Sequence, residues 1–370
     1  MAIYLTLTAV VVLLALLLRQ TKLNIGSGTV TRQGAVNVIV LLFIFSALFW
    51  VSALRVNVGN DYAKYVEFMH LVFSHAYVPT EPGFNALTYA IYYLCGFENY
   101  ILVFAVFTFF TVLLFMTAMW QQSEWFSFSF MMFMLLGYYF QSISTVRYYL
   151  ALGMALYSVK FVLKKDWPRF ILMVLIGALF HKSVLVILVL YPLASIKWRR
   201  WMYGLFGLMC ISCLFLQDLY LKIVIFLYPS YKDTEYLSGG TSPVSILRCF
   251  LILVISLWLF KDVVNTDKRY MFYFHCNIMA LALYVFGAFL PIISRIGYYL
   301  TVTHILFVPA LLLHIRDDRK KKLLTVLTVL FCLGYFALYM RGASADGVRI
   351  LPYKTILFDE MPLTLSERGY

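Results

Sequence analysis

Acidic side chains are scarce in this chain: Asp and Glu together number 17 among 370 residues, against 30 Lys and Arg. Charged residues of both signs make up only 13%, about half the share that a soluble domain carries. Hydrophobic residues reach 63%, so the composition excludes a soluble globular domain and a disordered chain and leaves a polytopic membrane protein. Cysteine is also sparse. The six residues Cys95, Cys210, Cys213, Cys249, Cys276 and Cys332 lie in or beside apolar segments and form no disulfide framework. Cys210 and Cys213 have CxxC spacing without a partner pair, and they read as two small packing residues. His70, His75, His275, His304 and His314 fall at no metal-ligand spacing, and neither metal nor other cofactor is assigned. Met1 to Leu18 lacks a basic leader region and a small-residue cleavage site, so a retained first span is expected there.

Apolar runs near 2–18, 35–54, 100–119, 128–145, 146–163, 170–181, 183–196, 201–217, 244–260, 271–291, 296–314 and 323–340 predict about twelve transmembrane helices, several shorter than the roughly 20 residues that cross a bilayer untilted. The expected fold is all-α and polytopic, one integral membrane domain over 1–370. The net charge of +13 would raise the question of nucleic acid in a soluble chain. Here Lys and Arg cluster in short loops, where they set topology, and no nucleic-acid partner is expected. With the N-terminus outside, the loops holding Arg19, Lys22 and Arg32, then Lys164, Lys165 and Arg169, then Lys197, Arg199 and Arg200, then Lys261, Lys268 and Arg269, then Arg316 and Arg319 to Lys322, all fall inside. The second and third of these loops should share a side, so Phe170 to Ile196 is either a hairpin of two short helices, the preferred reading, with His181 and Lys182 at its outer turn, or one tilted helix that breaks the rule.

The outer segments are then 55–99, the junction near 145–147, the loop 218–243, the junction from Pro291 to Arg295, and the tail 341–370. In the first, Tyr62, Tyr65, Val66, Met69 and Val72 recur at helical spacing, as in an interfacial helix. Phe84 to Cys95 is apolar but too short to cross, which suits a re-entrant or interfacial segment. Arg147 and the His181-Lys182-Ser183 triplet interrupt apolar runs. An ionisable group in a span costs roughly 2.5–3.5 kcal/mol at its centre, so such residues are functional candidates. A long side chain near a helix end that snorkels to the interface would explain Arg147 without chemistry.

Gly59-Asn60-Asp61-Tyr62, Glu81-Pro82-Gly83-Phe84, Ser144-Thr145-Val146-Arg147-Tyr148-Tyr149 and Phe180-His181-Lys182-Ser183, in that order, with a Ser294-Arg295 junction further on, resemble the EpsG family of exopolysaccharide and capsule proteins. The resemblance implies a Wzy-like glycosyltransferase with a GT-C-like fold in the cytoplasmic (inner) membrane. It would polymerise polyprenyl-pyrophosphate-linked oligosaccharide repeat units on the outer face, without nucleotide sugar or obligatory metal. The partners it implies are the lipid-linked oligosaccharide, the bilayer and a chain-length regulator of the same pathway.

Glycan transfer from a lipid pyrophosphate to a sugar hydroxyl needs cations for the leaving pyrophosphate and, if a base is used, a proton acceptor near the same face. Arg55, Arg147, Lys182 and Arg295 are expected there, the arginines as bidentate clamps and Lys182 as a point charge. His181 is the outer group best matched to proton transfer near neutral pH, and Asp61 is the other candidate base or an acceptor ligand. Both have plainer readings, a histidine hydrogen-bonded at a turn and an Asp capping the helix at Tyr62. Glu81, Tyr62 and Tyr148 are assigned to the sugar, although Glu81 before Pro82-Gly83 also reads as a turn residue and Tyr is common at membrane interfaces. The rival readings are a lipid-linked oligosaccharide flippase or transporter, another membrane transferase of envelope polysaccharide synthesis such as an acyltransferase, and a structural subunit. A transporter would show discontinuous helices with ionisable residues in both halves, whereas here the charges gather on one face.

Overall fold

The computed structural model describes residues 1–19, 31–227, 240, 242–290 and 293–359. Among these the chain is helical and forms no strand; a lone antiparallel bridge joins Arg55 to Thr355. In chain order the helices are α1 (Ala2–Ala15), α2 (Arg32–Ala53), α3 (Tyr62–Phe73), α4 (Pro82–Cys95), α5 (Tyr100–Gln122), α6 (Phe126–Leu135), α7 (Tyr138–Ser144), α8 (Val146–Leu163) and α9 (Trp167–Ala178). They continue with α10 (Ile187–Ser195), α11 (Arg200–Phe215), α12 (Gln217–Leu227), α13 (Pro243–Trp258), α14 (Lys268–Phe286), α15 (Ile293–Thr301), α16 (His304–Leu313) and α17 (Asp318–Arg341). A 3-10 turn at Lys182–Val186 precedes α10, and a π-helical stretch at Phe260–Val264 follows α13.

Five segments have the length and apolar composition to cross a bilayer: α2, α5, α8, α17, and Ile293–Leu313, which joins α15 to α16. The bent pairs α6–α7 and α11–α12, turned by 45° and 93°, bring the number to seven if each is one span. The expected count of about twelve is not reached. The runs at 2–18, 170–181, 183–196 and 244–260 are apolar helices of only 10–17 residues, roughly 15–26 Å long against a hydrocarbon core of about 30 Å. Hydropathy registers an apolar run but not the backbone breaks inside it. Gly137, at φ +78°, sets the bend between α6 and α7, a left-handed conformation that glycine adopts without steric cost. Of the loop expected over 218–243, the first part is helix α12, whereas 228–239 and 241 lie outside the described residues, as do Pro291 and the end of the tail beyond 359.

The chain packs as two compact units. One comprises Met1–Tyr157, Leu175–Lys182 and Arg316–Tyr370, the other Ser158–Val174 and Ser183–Ile315. In the first, α2 lies along α5, and the Ser52 and Thr108 hydroxyls meet at 3.0 Å between them. Such polar contacts matter between membrane helices, where lipid removes the hydrophobic drive to associate. The short helices α3 and α4 pack on each other, and α4 packs on α5. Tyr62, Tyr65, Val66 and Met69 of α3 share a core with Phe84, Ile91 and Tyr92 of α4 and Tyr100, Phe104 and Phe107 of α5. The segment after α17 is laced to the loop between α2 and α3: Val56 N–H donates to Lys354 O at 3.0 Å and Gly59 N–H to Arg349 O at 2.8 Å. In the second unit α14 is central, in contact with α10, α11, α13, α15 and α16. There the Phe170 and Tyr191 rings stack with centroids 6.3 Å apart, so the chain doubles back between α9 and α10. The break falls at 179–181, the hairpin turn expected at His181.

Candidate functional site

Glu81 ends the extended run before α4. Its backbone is extended (φ −71°, ψ 149°), Pro82 supplies the preset φ of the first helical position, and the Glu81 side chain does not cap the helix. Gly83 is required by close approach. Its N–H donates to Leu179 O at 2.8 Å, and a Cβ at this position would stand 2.7 Å from that oxygen. The start of α4 is thereby docked on the turn that follows α9. The Glu81 carboxylate meets two donors there: Arg147 Nη1 on one oxygen, and the Lys182 backbone N–H at 3.2 Å on the other.

Arg147 is the second residue of α8, just past the break at Thr145. Its guanidinium carbon lies 5.4 Å from the ring centre of Tyr65 and 5.3 Å from that of Phe84. The Arg147 and Glu81 side chains are each only 15% exposed, so their attraction is screened far less than that of a surface pair. Nε of Arg147 is buried and makes no hydrogen bond. The cation is thus held by one carboxylate and two aromatic rings while one of its donors stays unspent. Each ring contact contributes about 0.5–2 kcal/mol, and removing one partner of such a buried pair costs about 3–5 kcal/mol.

Tyr148, the next residue, is buried and meets the imidazole of His181 edge-on, with ring centroids 5.3 Å apart at 79°. His181 N–H closes the end of α9 on Gly177 O at 2.9 Å, and Phe180 beside it packs on Phe107 at 5.7 Å. The Lys182 residue is exposed. Glu81, Arg147, Tyr148, His181 and Lys182, drawn from three separate motifs, therefore meet in one place within the first unit.

The other sequence candidates stand differently. Asp61 occupies the cap position of α3 without a side-chain cap bond, one turn ahead of Tyr65, and its carbonyl accepts from Tyr65 N–H at 2.9 Å. Tyr62 is buried, its ring stacked on Phe104 with centroids 4.7 Å apart. Arg55 is fully buried: its guanidinium stacks 4.7 Å from the centre of Phe104, donates to Ile143 O at 3.0 Å and to Ser52 Oγ at 3.2 Å, and also reaches Ser52 O. Burial pulls this guanidinium below its ordinary pKa, opposed by the phenols of Tyr62, Tyr4, Tyr139 and Tyr353 around it. Arg55 thus ties the end of α2 to the end of α7. Arg295 belongs to the second unit, half-buried near the start of α15. Sequence reasoning missed the cage itself. Tyr65 appeared only as one residue of an apolar stripe and Phe84 as the residue after Pro-Gly, and no local pattern shows that both rings face Arg147.

A family model, that of the EpsG family, matches residues 38–355, a range that includes every residue of this cluster. No curated protein and no solved structure matches the chain.

Proposed function

Because the chain belongs to the EpsG family, we propose that it is a Wzy-like polysaccharide polymerase with a GT-C-like fold. In this reading it joins polyprenyl-pyrophosphate-linked oligosaccharide repeat units on the outer face of the cytoplasmic membrane. The observation that carries the reading is the caged Arg147: a cation held with Glu81 at a break in the helices, beside an imidazole and a lysine. A buried arginine so placed is costly to keep in a membrane protein unless its charge is used.

The residues divide the work as follows. A hydroxyl of the acceptor sugar attacks the anomeric carbon of the donor, and its proton passes to His181, with Asp61 the second candidate base. The bond from that carbon to the pyrophosphate oxygen breaks, and the electron pair leaves with the polyprenyl pyrophosphate. Arg147 and Lys182 offset, through their positive charge, the charge that develops on the leaving group. Glu81 acts as a positioning residue, since its two oxygens fix the Arg147 fork and the Lys182 backbone. Tyr148 holds the imidazole and offers its edge to the sugar. A chain-length regulator of the same pathway is the expected protein partner.

The test is synthesis of polymer from lipid-linked repeat units by purified protein. Arg147→Ala should abolish chain growth while leaving a folded protein, and full chain growth by that variant would remove the reading's main support.

A further inference from the structure

The second unit contains a cavity of about 590 Å³, none of whose lining residues is assigned above to glycan transfer. Its wall is built where the end of α8 and the loop to α9, the end of α10, and the junction from the π-helical stretch into α14 come together. Each of these places contributes one lysine, Lys165, Lys197 and Lys268. Three lysines lining one hollow, with a single acidic residue beside them, raise its positive potential and favour an anion there. The acidic side chain in the wall does not supply this anion. Asp267 spends its carboxylate on Arg269, accepting from Arg269 N–H at 2.8 Å and from the guanidinium at 3.0 Å. Nor do the hydroxyls compete for it, because Ser195 donates to Pro192 O at 2.8 Å and Thr266 to Val263 O at 2.6 Å.

Lys165, at φ +58°, is the left-handed residue that closes α8: its N–H donates to Val162 O at 3.0 Å and Asp166 N–H to Phe161 O at 2.8 Å, so the helix end sets this backbone. The N-terminus of α14, which opens at Lys268, lies in the same wall and is capped by the Asp267 carboxylate. Trp167 and Met271 give the hollow an apolar side, and tryptophan is the residue that settles at the level of lipid headgroups. The loops that form the cavity are the basic ones that the positive-inside rule assigns to the cytoplasmic face.

We infer that this cavity binds a phosphate-bearing anion, the headgroup of an anionic phospholipid of the cytoplasmic leaflet, through Lys165, Lys197 and Lys268. Recognition rests on the three charges, and the tryptophan and methionine side accommodates the first carbons of the lipid.

Native mass spectrometry of the purified full-length protein in detergent, titrated with phosphatidylglycerol and separately with phosphatidylcholine, tests this directly. The wild type should bind phosphatidylglycerol at least roughly tenfold more tightly than phosphatidylcholine. The triple variant Lys165→Gln, Lys197→Gln, Lys268→Gln should lose that preference. A control triple, Lys320→Gln, Lys321→Gln, Lys322→Gln, removes the same charge from the start of α17 and should keep it. A third titration with inorganic phosphate separates the sources: phosphatidylglycerol that resists millimolar phosphate supports the lipid, and displacement by phosphate supports a free phosphate in the same cavity. Equal affinity for the two lipids, or an equal loss in both triple variants, would overturn the inference. These lysines are exposed, so the variants should fold, and the elution volume on size exclusion checks that they do.

Discussion

At the scale of single residues, Arg147 is the centre of the account, proposed as the pyrophosphate clamp, and its packing differs from that of a snorkelling charge. A snorkelling arginine reaches out to the interface, whereas Arg147 is turned between Tyr65 and Phe84 with Glu81 on its edge. Lysine keeps the charge but not the planar fork, so Arg147→Lys should impair chain growth nearly as much as Arg147→Ala when polymer length is read on a gel. Normal polymer length at normal protein level would show that charge alone suffices. His181 makes a separate prediction. An amide preserves a hydrogen bond but takes no proton, so His181→Gln in stably folded protein should slow chain growth by roughly 10²- to 10⁴-fold. Activity within a few fold of wild type would move the base to Asp61. Arg55, assigned to pyrophosphate on sequence grounds, is enclosed by carbonyls and rings. Arg55→Met should therefore act on thermal stability, lowering it by about 3 kcal/mol or more because Ser52 and Ile143 lose their buried donor. A stable Arg55→Met protein with lost activity would return Arg55 to the substrate.

At the scale of elements, the dock between α4 and the turn after α9 decides whether the cluster forms. Gly83→Ala would place a methyl 2.7 Å from Leu179 O. The two elements must then separate, at a cost of about 1–3 kcal/mol. Polymer yield should fall with the melting temperature, although no atom of Gly83 is assigned to substrate; an unchanged melting temperature would mean that the contact is slack. Much at this scale was legible beforehand. The stripe Tyr62, Tyr65, Val66, Met69 and Val72 is the face that α3 buries, and the apolar run from Phe84 to Cys95 is helix α4. These are local patterns, and local patterns survive in sequence. The Glu81–Arg147 pair was not legible as a pair, since 66 positions separate its members and either charge alone reads as a turn or a snorkelling residue. The count of about twelve spans is not confirmed for a related reason: the runs at 2–18, 170–181, 183–196 and 244–260 fold as helices of 10–17 residues among the described residues, and hydropathy alone does not register where a helix ends.

At the scale of the whole molecule, the reading needs a sidedness and a reaction. The basic-loop pattern predicts that cysteines placed at Asn57 and Lys182, both exposed, label with an impermeant thiol reagent from outside and that one at Thr266 does not; labelling of Thr266 alone would invert the topology. The reaction is tested most directly by purified protein in nanodiscs supplied with lipid-linked repeat units, the products being resolved by length. The account predicts a ladder whose steps are whole repeat units, one polyprenyl pyrophosphate released per step, and no ladder from Arg147→Lys. Wild-type protein that forms no ladder in nanodiscs, yet carries the intact lipid-linked units across the membrane of proteoliposomes, would contradict it and make the chain a flippase.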